Sequence, residues 1–171
     1  MPDPLFHIVL LNPEIPNNTG NIGRTAAATG CRLHIVKPVS FDMSEKALRR
    51  AGLDYWRLVD CMVHEDWDAF LESQEPRSLW LYTTKSERPH WEARFQRGDY
   101  MLFGRETTGV SDAIHAWVDR TWGPDHRLTL PMVADPQARS LNLSTVVCAA
   151  VYEGLRQLGA AAPIDGPPGP M

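Results

Sequence analysis

Short apolar runs separated by helix-forming segments constrain this chain more strongly than any other feature of its sequence. Five runs have clear strand character: LFHIVLL (5–11), RLHIVKP (32–38), SLWLYTT (78–84), DYMLFG (99–104) and RLTLPMV (127–133). A weaker strand candidate covers 57–63, and helix candidates lie near 19–29, 44–51, 66–73, 111–118 and 141–158. This alternation predicts an α/β fold with a mainly parallel sheet. Because the runs are almost continuously apolar, we expect helices on both faces of the sheet.

The last helix candidate, SLNLSTVVCAAVYEGLRQLG, constrains how the chain packs. Ser140 is a candidate N-cap, and Gly159 lies just past the end of the helix. From Leu141 to Val151 the segment is apolar almost all round. Such a helix must be buried on more than one side, either in the core or against a partner subunit.

Composition and length fit one globular domain, which we place at 1–159, with a disordered Pro/Gly-rich tail at 160–171. No apolar run reaches the roughly 18 residues that span a bilayer, and no basic segment precedes the first apolar run. We therefore expect neither a membrane segment nor a signal peptide. The three cysteines are far apart and odd in number, which favours reduced thiols in a cytoplasmic protein. Histidines and cysteines lack zinc-ligand spacing, so no metal site is expected.

The net charge of −4 argues against indiscriminate binding to polyanions but leaves a local basic patch open. The densest basic segment is KALRRAGLDYWR, which contains Lys46, Arg49, Arg50 and Arg57. Its periodicity predicts a short helix capped by Ser44. These cations form either a solvated helix face or a face that contacts phosphates, and the sequence pattern is compatible with both.

Polar loops follow three of the predicted strands, and ligands of parallel α/β sheets bind at such loops. The first, NPEIPNNTGNIGR, contains two glycines that allow close backbone approaches. Thr19 and Asn21 are candidate caps for a helix whose free N–H groups attract an anion. Arg24 then lies near that helix start and presents its planar guanidinium to a phosphate or carboxylate.

The second loop, LFGRETTGV, runs from Gly104 through Glu106 to a helix capped by Ser111. It is not a P-loop, because Val110 occupies the position of the required lysine. Glu106 is either a surface acid or a functional carboxylate.

The third loop ends in ARSLNLS and places three polar residues, Ser140, Asn142 and Ser144, at the start of the last helix. Capping explains one of the three, but not all of them together with Arg139.

Taken together, PEIPNNTGNIGRTAAATGCRLHIVKP, KALRRAGLDYW, LFGRETTGV and RSLNLSTVVCAAVYEGLRQLG resemble the SPOUT-superfamily RNA 2′-O-methyltransferases, and within them the small enzymes that act on a wobble cytidine or uridine of tRNA. The resemblance runs from about Leu5 to Gly159. It implies a deep C-terminal trefoil knot (the alpha/beta knot), a homodimer, S-adenosylmethionine held in the knot, and the tRNA anticodon stem-loop as substrate.

The same resemblance implies a set of site residues. The catalytic positions are Asn18, Arg24, Glu106, Ser140 and Asn142. The cofactor contacts, largely through main chain, are Tyr82, Gly104, Leu130 and Ser140. RNA contacts fall on Arg49, Arg50 and Arg57. The VADPQARS loop is longer than the family pattern, which implies a different pocket shape there.

The chemistry of methyl transfer to a ribose assigns Arg24 a role. A sulfonium donor carries its own leaving group, so the main task is to align a weakly nucleophilic 2′-hydroxyl with the methyl group. Arginine stays protonated, so Arg24 fits a hydrogen-bond donor to the developing alkoxide or to the adjacent phosphate better than a general base. Two other functions also fit the loops: methylation of rRNA or of another tRNA position, and non-catalytic nucleotide binding.

Overall fold

A six-stranded parallel sheet forms the centre of the structure, which is a computed structural model that describes residues 3–43, 54–133 and 140–159. The strands are β1 (His7–Leu11), β2 (Arg32–Val36), β3 (Cys61–His64), β4 (Leu79–Tyr82), β5 (Tyr100–Phe103) and β6 (Arg127–Leu128). Their order across the sheet is β3-β2-β1-β5-β4-β6, and every pair is parallel. The predicted α/β fold with a parallel sheet is confirmed.

Within the described residues, four helices flank the sheet: α1 (Pro16–Thr29), α2 (Trp67–Gln74), α3 (Asp112–Thr121) and α4 (Leu143–Leu158). Short 3₁₀ helices occupy Asp54–Leu58, His90–Glu92 and Pro124–His126. The predicted helix at 44–51, with Arg49 and Arg50, lies outside the described residues, and so does the predicted tail at 160–171.

Both faces of the sheet are covered, as its apolar strands require. Along β1, Ile8 and Leu10 join a core that includes the buried residues of α1 and α4. Val9 and Leu11 belong to the opposite core, which includes residues of α2 and α3. The alternation follows from the strand geometry, in which successive side chains point to opposite faces. The carboxyl ends of the strands are left for loops.

Two helix starts differ from the predicted ones. α1 begins at Pro16, whose fixed φ suits the first position of a helix and whose missing N–H is not needed there. Thr19 and Asn21 therefore lie inside the helix and cap nothing. The cap of α4 is Asn142 rather than Ser140, since its Oδ1 accepts hydrogen bonds from the backbone N–H groups of Ser144 and Thr145. For α3 the predicted cap, Ser111, is confirmed.

The strand predicted at 127–133 is shorter than expected. β6 ends at Leu128, after which Thr129 exchanges backbone hydrogen bonds with Arg88 and His90 instead of continuing along β4. Pro131, two residues after Thr129, has no N–H with which to extend a ladder. The chain thus turns away from the sheet where a loop is needed. The weak candidate at 57–63 divides into the 3₁₀ helix and β3.

A row of three buried histidines crosses β1, β2 and β3. His7 Nδ1 lies 2.8 Å from His34 Nε2, and His34 Nδ1 lies 3.0 Å from His64 Nε2. The Tyr100 ring stacks on His7 with centroids 4.0 Å apart, and Phe70 packs edge-on against His34 and His64. Only a neutral imidazole has one donor and one acceptor nitrogen, so the central ring of His34 can accept from one neighbour and donate to the other only while it is neutral.

Burial keeps these imidazoles neutral. It lowers the pKa of His7 from 6.5 to about 4, with a further contribution from the charge of Arg32, while Asp60 and Asp3 act in the opposite direction. Burial and the neighbouring histidines lower the pKa of His34 to about 2. The pKa of His64 is also lowered by burial. The folded protein therefore resists protonation that the unfolded chain accepts.

We expect this histidine row to make the protein acid-sensitive. An unfolded histidine binds a proton near pH 6.5, whereas His7 does so only near pH 4, so the unfolding free energy falls as the pH drops from about 6.5 towards 4. Urea unfolding at pH 7 and pH 5 should differ by about 2 kcal/mol or more. The His34→Phe variant, which removes the central imidazole, should show a shallower dependence. Equal slopes in the two proteins would contradict this assignment.

Candidate active site

A cavity of about 770 Å³ opens at the carboxyl ends of β4, β5 and β6. Its volume is within the range of small-molecule sites, and its position is the one that ligands take in parallel α/β sheets. The structure brings all but one of the residues predicted as catalytic or cofactor-binding to its wall: Asn18, Tyr82, Gly104, Glu106, Leu130, Ser140 and Asn142. The exception is Arg24.

The side-chain amide of Asn18 joins the three predicted loops. Its Nδ2 donates to Glu106 Oε1 at 3.1 Å, and its Oδ1 accepts from Asn142 Nδ2 at 3.0 Å. Asn18 is only 4% exposed and sits in the first turns of α1. A buried amide that both donates and accepts fixes its own orientation and that of its two partners.

Glu106 clamps the loop after β5 to the loop after β1. Its carboxylate accepts hydrogen bonds from the backbone N–H of Glu14 at 2.9 Å and of Ile15 at 3.2 Å. In return, the Glu14 carboxylate accepts from the backbone N–H and the hydroxyl of Thr107 at 3.2 and 2.6 Å. Because Ile15 precedes the first residue of α1, the Glu106 charge also faces the positive end of the helix dipole. These contacts give Glu106 a structural role beside the predicted catalytic one.

Asn142 caps α4 and also forms a hydrogen bond to Asn18. Its Oδ1 accepts from the backbone N–H and hydroxyl of Ser144 and from the N–H of Thr145, and its Nδ2 donates to Asn18. Among the described residues, Asn18 is the one acceptor for the two amide hydrogens of Asn142. The cap thus ties the start of α4 to α1.

Gly104 has a structural role in its own loop. A Cβ at this position would fall against the backbone of Gly109 and Val110, because the 104–110 loop folds back on itself. Arg105 and Gly109 exchange two backbone hydrogen bonds that close this turn. The missing side chain therefore allows the loop to form, and the contact of Gly104 with the cofactor stays a prediction.

Two buried polar atoms of cavity-lining residues lack a hydrogen-bond partner among the described residues: the Tyr82 hydroxyl and His115 Nδ1. Burial and the Glu153 carboxylate raise the pKa of Tyr82. The pKa of His115 is lowered by burial, Lys85 and Arg127. Both groups are therefore neutral near pH 7 and suit polar, uncharged atoms of a ligand. Sequence reasoning missed His115, which belongs to no recognisable motif.

Arg24 is placed apart from this cavity. It is exposed on α1, and its Cζ lies 4.3 Å from the centroid of the Tyr55 ring. Six residues of helix separate it from Asn18, about 9 Å along the axis and about 120° around it. The structure therefore does not bring Arg24 to the wall that holds Asn18 and Glu106. Arg57 is exposed in the neighbouring 3₁₀ helix, and its RNA contact stays a prediction.

The described residues contain neither a metal-binding cluster nor a membrane-crossing helix. No cluster of three or more histidine, cysteine, aspartate or glutamate side chains is arranged to hold a metal ion. None of the helices in the described ranges has both the length and the apolar character needed to cross a bilayer.

Comparison with known proteins gives consistent matches. The model of the SpoU rRNA Methylase family matches residues 5–152. A curated relative from Saccharophagus degradans, named tRNA (cytidine(34)-2′-O)-methyltransferase, is 46% identical over 157 residues, which cover 92% of this chain and 98% of the relative.

Solved structures agree with this match. One described as "Structural insights into the 2-OH methylation of C/U34 on tRNA" superposes with a TM-score of 0.77 at 44% identity, over 90% of each chain. The SpoU methyltransferase AviRb from Streptomyces viridochromogenes, in complex with the cofactor AdoMet, is similar with a TM-score of 0.73 at 22% identity, over 91% of this chain and 60% of AviRb. The second likeness concerns the fold alone.

The Glu106 clamp predicts a measurable loss of stability. Glu106→Ala leaves the N–H groups of Glu14 and Ile15 and the Asn18 amide without their acceptor, and should lower the unfolding free energy by about 1–3 kcal/mol. Urea denaturation measures this change. Glu72→Ala, on an exposed position of α2, is the matched control and should have an effect within about 0.5 kcal/mol. Equal effects of the two substitutions would show that the clamp contributes no stability.

Proposed function

The chain belongs to the SpoU rRNA Methylase family, and on that premise we propose that it methylates the 2′-hydroxyl of the cytidine or uridine at position 34 of tRNA. One structural observation carries the proposal: the three family loops converge on one cavity through the Asn18 amide. A relative with this activity matches almost end to end, so the likeness covers the whole cavity wall.

S-adenosylmethionine is the methyl donor that we propose for the 770 Å³ cavity. When bound, it supplies a methyl group on a positively charged sulfur that leaves as a neutral thioether. The residues present fit such a molecule, because the wall combines apolar side chains such as Phe103 and Leu130 with the unpartnered atoms of Tyr82 and His115. A ligand that pairs with these atoms removes the cost of burying them unbonded. Ser140 and the backbone at Gly104 and Leu130 complete the proposed cofactor contacts.

The remaining residues of the site orient the acceptor. The second amide hydrogen of Asn142, which Asn18 and Glu106 hold in place, donates towards the target nucleotide. Positioning of this kind is the main catalytic contribution available to a reaction whose leaving group needs no assistance. The Arg24 guanidinium serves as a hydrogen-bond donor to the ribose oxygen as it gains negative charge, or to the adjacent phosphate.

We further propose a homodimer, because Arg24 lies outside the cavity of its own chain. In a homodimer the exposed guanidinium of one protomer faces the cavity of the other. The mouth of the cavity supports a covering partner, since it carries the exposed apolar side chains of Ile15, Met132 and Leu141. Tyr152 adds an exposed aromatic ring on α4. The deep C-terminal trefoil knot that the family resemblance implies also belongs to this proposal.

Methyl transfer to unmodified tRNA tests the function directly. With labelled S-adenosylmethionine, the purified protein should label tRNA, and mapping should place a single 2′-O-methyl group at nucleotide 34. Absence of transfer would favour a non-catalytic nucleotide-binding module. A methyl group on another tRNA position, or on rRNA alone, would refute the assignment of the substrate while preserving the chemistry.

Arg24→Ala should reduce turnover by at least about 100-fold, which is typical for the loss of a donor to a developing oxyanion, while cofactor affinity in calorimetry stays within about twofold. A similar loss of cofactor affinity would contradict the assigned role.

The dimer adds a sharper test of the same residue. Leu130→Trp fills the cavity and should inactivate a protomer that retains Arg24. If Arg24 acts on the partner's cavity, mixing Arg24→Ala and Leu130→Trp protomers should restore activity to mixed dimers. If it acts within its own chain, the mixture stays inactive.

A further inference from the structure

We propose that Tyr55 is a positioning residue that holds the Arg24 guanidinium ready for an oxygen of the RNA acceptor. This inference rests on the proposed function and assigns a role to a residue outside the three family loops. Tyr55 lies in the 3₁₀ helix Asp54–Leu58, which packs on α1.

The first observation is the stacking of a cation on a ring. Arg24 Cζ lies 4.3 Å from the centroid of the Tyr55 ring, well within the distance for a cation–π interaction. A stacked guanidinium keeps its five N–H donors at its edges, where they remain free to bind. Among the described residues, no hydrogen bond or ion pair involves the Arg24 side chain, which is exposed. The observed contact therefore orients the guanidinium through its face and leaves its edges to other partners.

The second observation is that Tyr55 is itself fixed to α1. Its hydroxyl donates to the Gly20 carbonyl at 2.7 Å. In an α-helix that same carbonyl accepts the backbone N–H of Arg24, four residues later. Tyr55 thus contacts Arg24 at both ends: the ring supports the guanidinium, and the hydroxyl binds the helical turn from which the side chain starts.

The third observation shows why the ring cannot shift. Trp56, the next residue, packs so closely on α1 that a Cβ at Gly23 would lie 2.6 Å from its Cζ3 atom. Gly23 therefore allows the 3₁₀ helix to approach α1 one residue before Arg24. Together, the contacts at Gly20, Gly23 and Arg24 hold Tyr55 in one place.

The consequence concerns the acceptor. A free arginine side chain samples many rotamers, and ordering it on binding costs entropy. With Tyr55 beneath it, Arg24 loses less freedom when it meets a ribose oxygen or a phosphate, so more of the interaction is available in the transition state. The effect should therefore appear in kcat rather than in cofactor binding.

Two substitutions of Tyr55 separate the ring from the hydroxyl. Tyr55→Phe keeps the ring and should retain kcat within about threefold. Tyr55→Leu removes the ring and should lower kcat on tRNA by about tenfold, with the Kd for S-adenosylmethionine unchanged. Urea denaturation of each variant identifies any general loss of folding. If Tyr55→Phe and Tyr55→Leu lost activity only in proportion to their stability, the role would be structural and the proposal overturned.

A double-mutant cycle tests whether Tyr55 acts through Arg24. In an Arg24→Lys background, which lacks the planar fork, Tyr55→Leu should cost less than about twofold further activity. An undiminished tenfold loss in that background would overturn the proposal. An inactive wild-type protein would contradict the proposed function instead, whereas an active wild type that is insensitive to Tyr55→Leu would overturn only the positioning role.

Discussion

The rest of the site depends on one buried amide. Asn18 donates to a carboxylate 88 residues away and accepts from an amide 124 residues away. Its polarity is specified by its partners: aspartate at this position would place a second negative charge against Glu106, and an apolar residue would remove one hydrogen-bond partner from both Glu106 and Asn142. Its partner Glu106 holds the loop after β1, and its partner Asn142 caps α4. The three loops therefore take their observed arrangement only together.

The cavity next to Asn18 has neutral polar groups in its buried part and charged side chains where it is exposed. Buried groups near the cavity, such as the Tyr82 hydroxyl and the His115 imidazole, stay neutral at pH 7, whereas Lys85 forms an exposed ion pair with Asp112. The cavity wall also contains the charged side chains of Arg105 and Glu106, so a ligand there meets neutral polar atoms and charged groups in the same site.

Local patterns in the sequence predict most of the fold and part of the site. Apolar strands and Ser111 as a cap follow from neighbouring residues, and the convergence of the loops follows from the parallel order of the strands. What local patterns missed depends on residues distant in the chain. Gly104 is required by the 104–110 loop, which folds back against it. His115 lines the cavity because of the way α3 packs. Tyr55, which stacks on Arg24, comes from the segment after β2. Pro16 is a local signal for the start of α1, but the glycines that follow it are more typical of a loop.

The rigidity of α1 turns the separation of Asn18 and Arg24 into a constraint on the substrate. The Asn18 amide of α1 faces the cavity, whereas the Arg24 guanidinium, about 9 Å further along the helix axis, points in another direction. Gly20 and Gly23 do not loosen this geometry, since Tyr55 and Trp56 bind the helix at both positions. A single nucleotide bound in the cavity therefore cannot contact both Asn18 and Arg24 of the same chain unless α1 bends. The acceptor must extend from the cavity to the Arg24 face, or a second copy of the chain must supply that face, and an RNA bound across two protomers meets both conditions.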